Sequence, residues 1–65
     1  MYSAMELARR AFYAAHYARL EKAGGKDPAM MIEAANYYLN HLAKVPHEGY
    51  ERLMNDIENM LEGIA

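Results

Sequence analysis

An all-α fold, a small antiparallel three-helix bundle, is predicted by three observations. Apolar residues recur at helical spacing along most of the chain, no stretch alternates apolar and polar residues as a strand would, and glycine and proline cluster at two places. These two places divide the 65 residues into thirds. Because short connections favour antiparallel neighbours, we expect one up-down-up domain. The alternative is a helical hairpin that completes a bundle by dimerisation.

Helix 1 is predicted at about residues 2–23. Alanines at positions 4, 8, 11, 15 and 18 keep heptad spacing, and Met1, Met5, Leu7 and Phe12 flank them. Side chains as small as alanine let a neighbouring helix approach closely, so we expect this face to point inward. Phe12 and Met5 are then expected to fill the gap between the other two helices.

Helix 2 is predicted at about residues 28–44. Gly24 and Gly25 can supply the left-handed conformation that closes the preceding helix. Asp27 suits the N-cap of helix 2, and Pro28 suits the first helical position, where its missing N–H costs nothing. The apolar face of this helix is formed by Met31, Ile32, Ala35, Tyr38, Leu39 and Leu42.

Helix 3 is predicted at about residues 47–63, after Pro46 disfavours a helical conformation at Val45. Gly49 would weaken its first turn and leaves its start open. Apolar side chains at 50, 53, 57, 60 and 64 form a clean stripe. Helix 1 carries four cations and two carboxylates, a net +2, whereas residues 48–62 carry one arginine and five carboxylates, a net −4. Charge complementarity therefore favours placing helices 1 and 3 near each other, in the same chain or across a dimer.

The predicted core is thin. Of the 54% hydrophobic residues, which are 35 side chains, 12 are alanine and 6 are tyrosine, so 17 are large and purely apolar. Met5, Met31, Met54 and Met60 are expected to be among the core side chains. A chain of this length buries only about 60% of its unfolded surface, and with no cysteine it has no disulfide. We therefore expect self-association or a partner to add stability.

A second set of side chains lies away from the predicted core. Tyrosine and arginine are over-represented among residues that carry binding energy, so this set predicts a protein contact. The alternative is that the tyrosines border the core, with packed rings and hydrated hydroxyls. The candidate partner-binding residues are Tyr2, Arg9, Tyr13, His16, Tyr17 and Leu20 on helix 1, and Met30, Tyr37 and His41 on helix 2.

Several other function classes find little support in the sequence. The three histidines fall in different thirds of the chain and none belongs to a Glu-x-x-His motif, so no metal site is expected. Ser3 is the single serine and there is no threonine, so we expect neither an enzyme nor a cofactor. No apolar run approaches the length of a membrane span, and an alanine face inserts weakly. We expect a cytoplasmic protein that does not bind membranes.

The sequence thus predicts a helical protein–protein interaction module, with a homodimer as the first expected contact. Such a module could act as an adaptor or as an inhibitor of a larger protein. The alternative is a regulator that binds nucleic acid through Arg9, Arg10 and Arg19 on helix 1. The net charge of −2 disfavours that alternative, and Glu6 and Glu21 interrupt the basic strip.

Overall fold

The computed structural model describes residues 2–64, and these form three helices: α1 (Ala4–Ala23), α2 (Ala29–Leu42) and α3 (Glu51–Ile64). The predicted all-α three-helix bundle is confirmed. Helix α1 is central, because both other helices pack mainly against it. The Cα trace measures 36 × 22 × 13 Å, which is a flat shape for three helices. Met1, which was expected to flank the alanine face, lies outside the described residues.

The chain direction follows the expected up-down-up order. Leu7 and Ala8 at the start of α1 share one core cluster with Leu42 at the end of α2. Tyr50, just before α3, and Leu53, in its first turn, pack against that cluster. The ends of α1 and α3 also meet, where the Lys22 ammonium donates to the Ile64 carbonyl. Helices α1 and α3 are therefore neighbours, as their opposite charges predict.

Helix α1 begins at a reciprocal N-terminal cap. Ser3 is extended (φ −74°, ψ 167°), so the helix starts at Ala4 and not at the predicted residue 2. The Glu6 N–H donates to Ser3 Oγ at 3.2 Å, and the Ser3 N–H donates to Glu6 Oε1 at 2.9 Å. This capping box satisfies backbone donors that the first turn leaves free. Its Ser-x-x-Glu signature is visible in the sequence and was missing from the prediction.

The first connection closes α1 as the glycine pair predicts. Gly25 takes the left-handed conformation, with φ +78°. The Lys26 N–H donates to the Glu21 carbonyl at 2.8 Å, and the Gly25 N–H donates to the Lys22 carbonyl at 3.1 Å. These two bonds form a Schellman motif, which satisfies carbonyls of the last turn of the helix.

Helix α2 is shorter than predicted at both ends. It begins at Ala29, because Pro28 (φ −84°, ψ 5°) occupies the N-cap and not the first helical position. Asp27 still accepts a hydrogen bond at this end, from the Ala29 N–H at 3.0 Å. Its C-terminal end is tightened by a hydrogen bond from the Lys44 N–H to the His41 carbonyl, at 3.1 Å. Such i→i+3 bonds commonly end a helix and account for its stop at residue 42.

The predicted start of helix 3 at residue 47 is wrong. Residues 47–50 form a turn, in which the Tyr50 N–H donates to the His47 carbonyl at 3.0 Å. Gly49 has φ +90°, which is incompatible with helix, so α3 begins at Glu51. The Gly49 N–H then donates to Glu51 Oε1 at 2.7 Å across this junction.

The alanine face of α1 points inward, as predicted. Ala11, Ala15 and Ala18 are fully buried, and the core they line is completed by Ala14, Ala35, Leu39, Ile57, Leu61 and Ile64. Met31, Met54 and Met60 are partly buried against that core, in line with the prediction.

The expectation that Met5 and Phe12 fill the gap between α2 and α3 is wrong. Met5 is 56% exposed and Phe12 is 37% exposed. At 100° per residue, both side chains lie about 80–120° from the centre of the alanine face. They therefore stand at its edge and turn outward.

Candidate interaction surface

Helix α1 carries exposed apolar side chains on the side opposite its buried alanines. Arg9, Tyr13, His16 and Leu20 run along the middle of this side and are all exposed. The exposed fraction is 57% for Tyr13, 62% for Tyr17 and 58% for Leu20. We call this surface the outer face of α1, and it comprises Met5, Arg9, Phe12, Tyr13, His16, Tyr17 and Leu20.

Several side chains of the outer face contact one another. The Phe12 and His16 rings are stacked, with centroids 6.1 Å apart and planes inclined by 10°. Phe12 and Tyr13 are 6.0 Å apart at 60°. One Arg9 guanidinium nitrogen lies 3.8 Å from the Met5 sulfur. Mutual contact of this kind restricts rotamers in the free chain, so less entropy remains to be lost on binding.

The outer face continues toward α3 as a shallow depression of about 260 Å³. Met5, Phe12 and Tyr13 form one wall, and Tyr50 of the preceding turn and Leu53 of α3 form the other. Beyond this depression the exposed residues of α3 are polar, and none of the large exposed hydrophobic side chains among residues 2–64 belongs to α3. The large exposed hydrophobic side chains of residues 2–64 are therefore confined to α1, to Tyr2 before it, and to α2.

A separate group of rings is formed by Tyr37 and His41 of α2 together with Tyr2. The Tyr37 ring lies 4.4 Å from the His41 ring and 5.4 Å from the Tyr38 ring. Tyr38 in turn meets Tyr2 edge to face at 6.3 Å. We call this group the α2 aromatic cluster. An open cleft of about 340 Å³ beside it is lined by Tyr2, Leu7, Tyr37, His41, Lys44 and Val45.

The position of Tyr2 corrects the predicted grouping. A helical projection places Tyr2 on the outer face with Tyr13, but Tyr2 precedes the capping residue Ser3 and is not helical. Arg10 holds the Tyr2 ring beside α2, with its guanidinium carbon 4.2 Å from the ring centroid. Met30, on the first turn of α2, is 78% exposed and belongs to neither group as defined. The nine candidate residues are all exposed, but they form at least two surfaces rather than one.

The three arginines of the nucleic-acid alternative are not gathered into one strip. At 100° per residue, Arg10 and Arg19 lie on opposite sides of α1, with Arg9 between them. Arg10 is also directed at the Tyr2 and Tyr38 rings, at 4.2 and 6.0 Å. The structure thus brings Arg9 to the outer face and Arg10 to the α2 aromatic cluster.

The histidines and carboxylates of residues 2–64 are dispersed over the structure. No three His, Asp or Glu side chains of this range converge as a metal ion would require. None of the three helices has the length and apolarity needed to cross a membrane. His47, in the turn before α3, places Nδ1 2.7 Å from the Val45 carbonyl, so this ring stabilises the connection.

Comparison of the chain with protein-family models, with curated proteins and with solved structures gave no match.

Proposed function

We propose that this chain is a small protein–protein interaction module that associates with itself through the outer face of α1. One observation carries the proposal: α1 has its core on one side and exposed aromatic rings on the other. A helix that is apolar on both sides is normally covered on both sides. Within one chain, α2 and α3 cover only the alanine side.

The amount of exposed surface supports the proposal. The described chain exposes 4675 Å², whereas a monomer of 7.4 kDa is expected to expose about 4,200 Å². Phe12, Tyr13 and Tyr17 together leave about 300 Å² of ring and side-chain surface exposed, if a full side chain counts for about 200 Å². This area is at the lower end of the range of about 300–600 Å² covered by the largest apolar patch of a typical monomer, and such patches are often functional.

The same face could also meet a different protein. A rigid helix with an aromatic stripe fits the groove of a larger protein, where rings in pockets supply most of the binding energy. By occupying such a groove the module would act as an adaptor or an inhibitor. Self-association then competes with that contact, because both use the outer face of α1.

The proposal is tested by the molar mass in solution, measured by light scattering over at least a tenfold concentration range together with circular dichroism. We expect a helical dimer whose dissociation constant rises about tenfold or more for Tyr13→Ala or Tyr17→Ala, which corresponds to more than about 1.4 kcal/mol. Helicity should stay nearly unchanged, because both tyrosines are exposed.

The matched control is Tyr37→Ala. Tyr37 is 58% exposed, as Tyr13 is 57% exposed, but Tyr37 belongs to the α2 aromatic cluster. Its replacement should leave the dimer intact. If Tyr13→Ala unfolds the chain, or if Tyr37→Ala weakens the dimer as much as Tyr13→Ala does, the assignment to the outer face is wrong.

A further inference from the structure

We infer that two copies pair through α1 in antiparallel orientation, with Tyr13 of each copy against His16 of the other. This inference rests on the proposed self-association and gives it a geometry. It starts from the spacing of the central residues of the outer face, Arg9, Tyr13, His16 and Leu20, which are 4, 3 and 4 apart. Residues with this spacing lie in one line along the helix, so the stripes of two copies can face each other at a small crossing angle.

The orientation follows from the position of the charge. Arg9 is the one side chain of the outer face that is always charged at neutral pH. A parallel pair would place the two Arg9 guanidinium groups side by side, where like charges repel. An antiparallel pair separates them and also opposes the two helix dipoles. None of the residues that define the outer face is acidic, so no carboxylate of that face compensates this repulsion.

The register follows from the length of α1. Antiparallel heptad packing lets the stripes interlock in registers that differ by seven residues. In one register Tyr13 lies opposite His16 of the other copy, so the numbers of opposing residues add to 29. Arg9 then lies opposite Leu20, and residues 6–23 of each helix overlap. In the two neighbouring registers the numbers add to 22 or to 36. The first leaves only residues 4–18 of each helix in contact, and the second leaves only residues 13–23. The register with the longest overlap buries the most surface.

The area available suits a modest dimer. The three rings of the outer face contribute about 300 Å² per copy, against about 800 Å² per partner in a standard interface. Met5, Arg9, His16 and Leu20 are also exposed and extend the contact along the helix. In this register Arg19 of one copy also comes near Phe12 of the other, where a cation–π contact can form.

The absence of cysteine from the chain makes a disulfide test direct. Arg9→Cys and Leu20→Cys variants, one with a mass tag, are oxidised separately and as a mixture. We expect the disulfide to form mainly between the two different variants in the mixture. Leu20→Cys alone keeps Arg9, and with it the charge that sets the orientation. It should remain uncrosslinked, because its two cysteines lie about 17 Å apart along the axis and a disulfide needs Cα atoms within about 7 Å.

Asp56→Cys, on the exposed side of α3, measures crosslinking by random collision. Efficient crosslinking of Leu20→Cys alone would indicate a parallel pair and overturn the inferred geometry, while the proposed self-association would stand. A mixture that crosslinks no faster than Asp56→Cys would also overturn the geometry. If light scattering finds unmodified chain and variants monomeric at every concentration, the proposed self-association fails and the inference fails with it.

Discussion

The guanidinium carbon of Arg10 lies 4.2 Å from the centroid of the Tyr2 ring. This contact spans the α1 N-terminal cap and directs Tyr2 toward Tyr38 of α2. It therefore separates two tyrosine-bearing surfaces that look like one in a helical projection of the sequence. The separation has a measurable consequence for association.

Tyr2→Ala should leave the dimer dissociation constant within about threefold of the unmodified value, because Tyr2 lies outside the outer face. The stability of the monomer should fall by about 0.5–1 kcal/mol through loss of an exposed cation–π contact. Light scattering and urea denaturation measure the two effects separately. A loss of association as large as that of Tyr13→Ala would mean that Tyr2 belongs to the interface.

Ser3→Ala should destabilise the chain by about 1 kcal/mol, because it removes the side-chain acceptor of the Glu6 N–H. Ser3→Asp keeps an acceptor at the N-cap and should retain most of the stability. The free energy of unfolding from urea titration followed by circular dichroism is the measurement. Equal stability of the alanine and aspartate variants would show that the cap contributes nothing.

Acidic pH should destabilise the first turn of α1, because it protonates the Glu6 carboxylate. The Ser3 backbone N–H, followed by the Ser3 hydroxyl, stabilises the Glu6 carboxylate and lowers its pKa below the ordinary value of 4.5. Because the folded-state pKa is the lower one, this contribution is present above pH 4.5 and is lost as the pH falls through the folded-state pKa. Melting temperatures of the unmodified chain and Glu6→Gln should converge in this acidic range.

Glu51 provides an internal comparison at the start of α3. Its own backbone N–H, followed by that of Gly49, lowers the pKa of its carboxyl group below 4.5. The Glu6→Gln variant should therefore keep part of the acid sensitivity, and a further Glu51→Gln change should remove more of it. If Glu6→Gln titrates in the same way as the unmodified chain, the cap does not hold the Glu6 carboxylate.

Ala15→Leu should destabilise the fold by about 1–3 kcal/mol, since Ala15 is fully buried where α1 approaches its neighbours. Ala29→Leu, at the exposed first residue of α2, should change stability by less than about 0.5 kcal/mol. Thermal unfolding of both variants tests the close approach of helices over the alanine face. A tolerated leucine at position 15 would contradict the packing.

Gly49→Ala and Gly63→Ala should shift stability in opposite directions. An alanine Cβ would meet nothing within 4 Å at either position, so steric contact is not the difference. Gly49 has φ +90°, and a side chain there should cost about 1–2 kcal/mol. Gly63 is helical and exposed, and alanine there should raise the free energy of unfolding by at most about 1 kcal/mol. Fraying of the last turn would reduce this gain. Denaturant midpoints report the sign of each change.

Helix 3 shows which features could be predicted from the sequence and which could not. Its apolar stripe was sufficient to predict the buried Ile57 and Ile64, because a 3.6-residue period depends only on order along the chain. Its start was misplaced by four residues. Gly49 can adopt either a helical or a left-handed conformation, and the contacts of the turn decide between them.

For this protein, the sequence by itself determined the number of helices, their order and the alanine face that is buried. Those properties depend on local periodicity and on glycine and proline, which act over a few residues. Only the tertiary structure decided that Met5 and Phe12 turn outward and that Tyr2 leaves the outer face for the α2 aromatic cluster. These outcomes depend on the angle at which α2 and α3 approach α1, and on a non-helical residue that a helical projection cannot place.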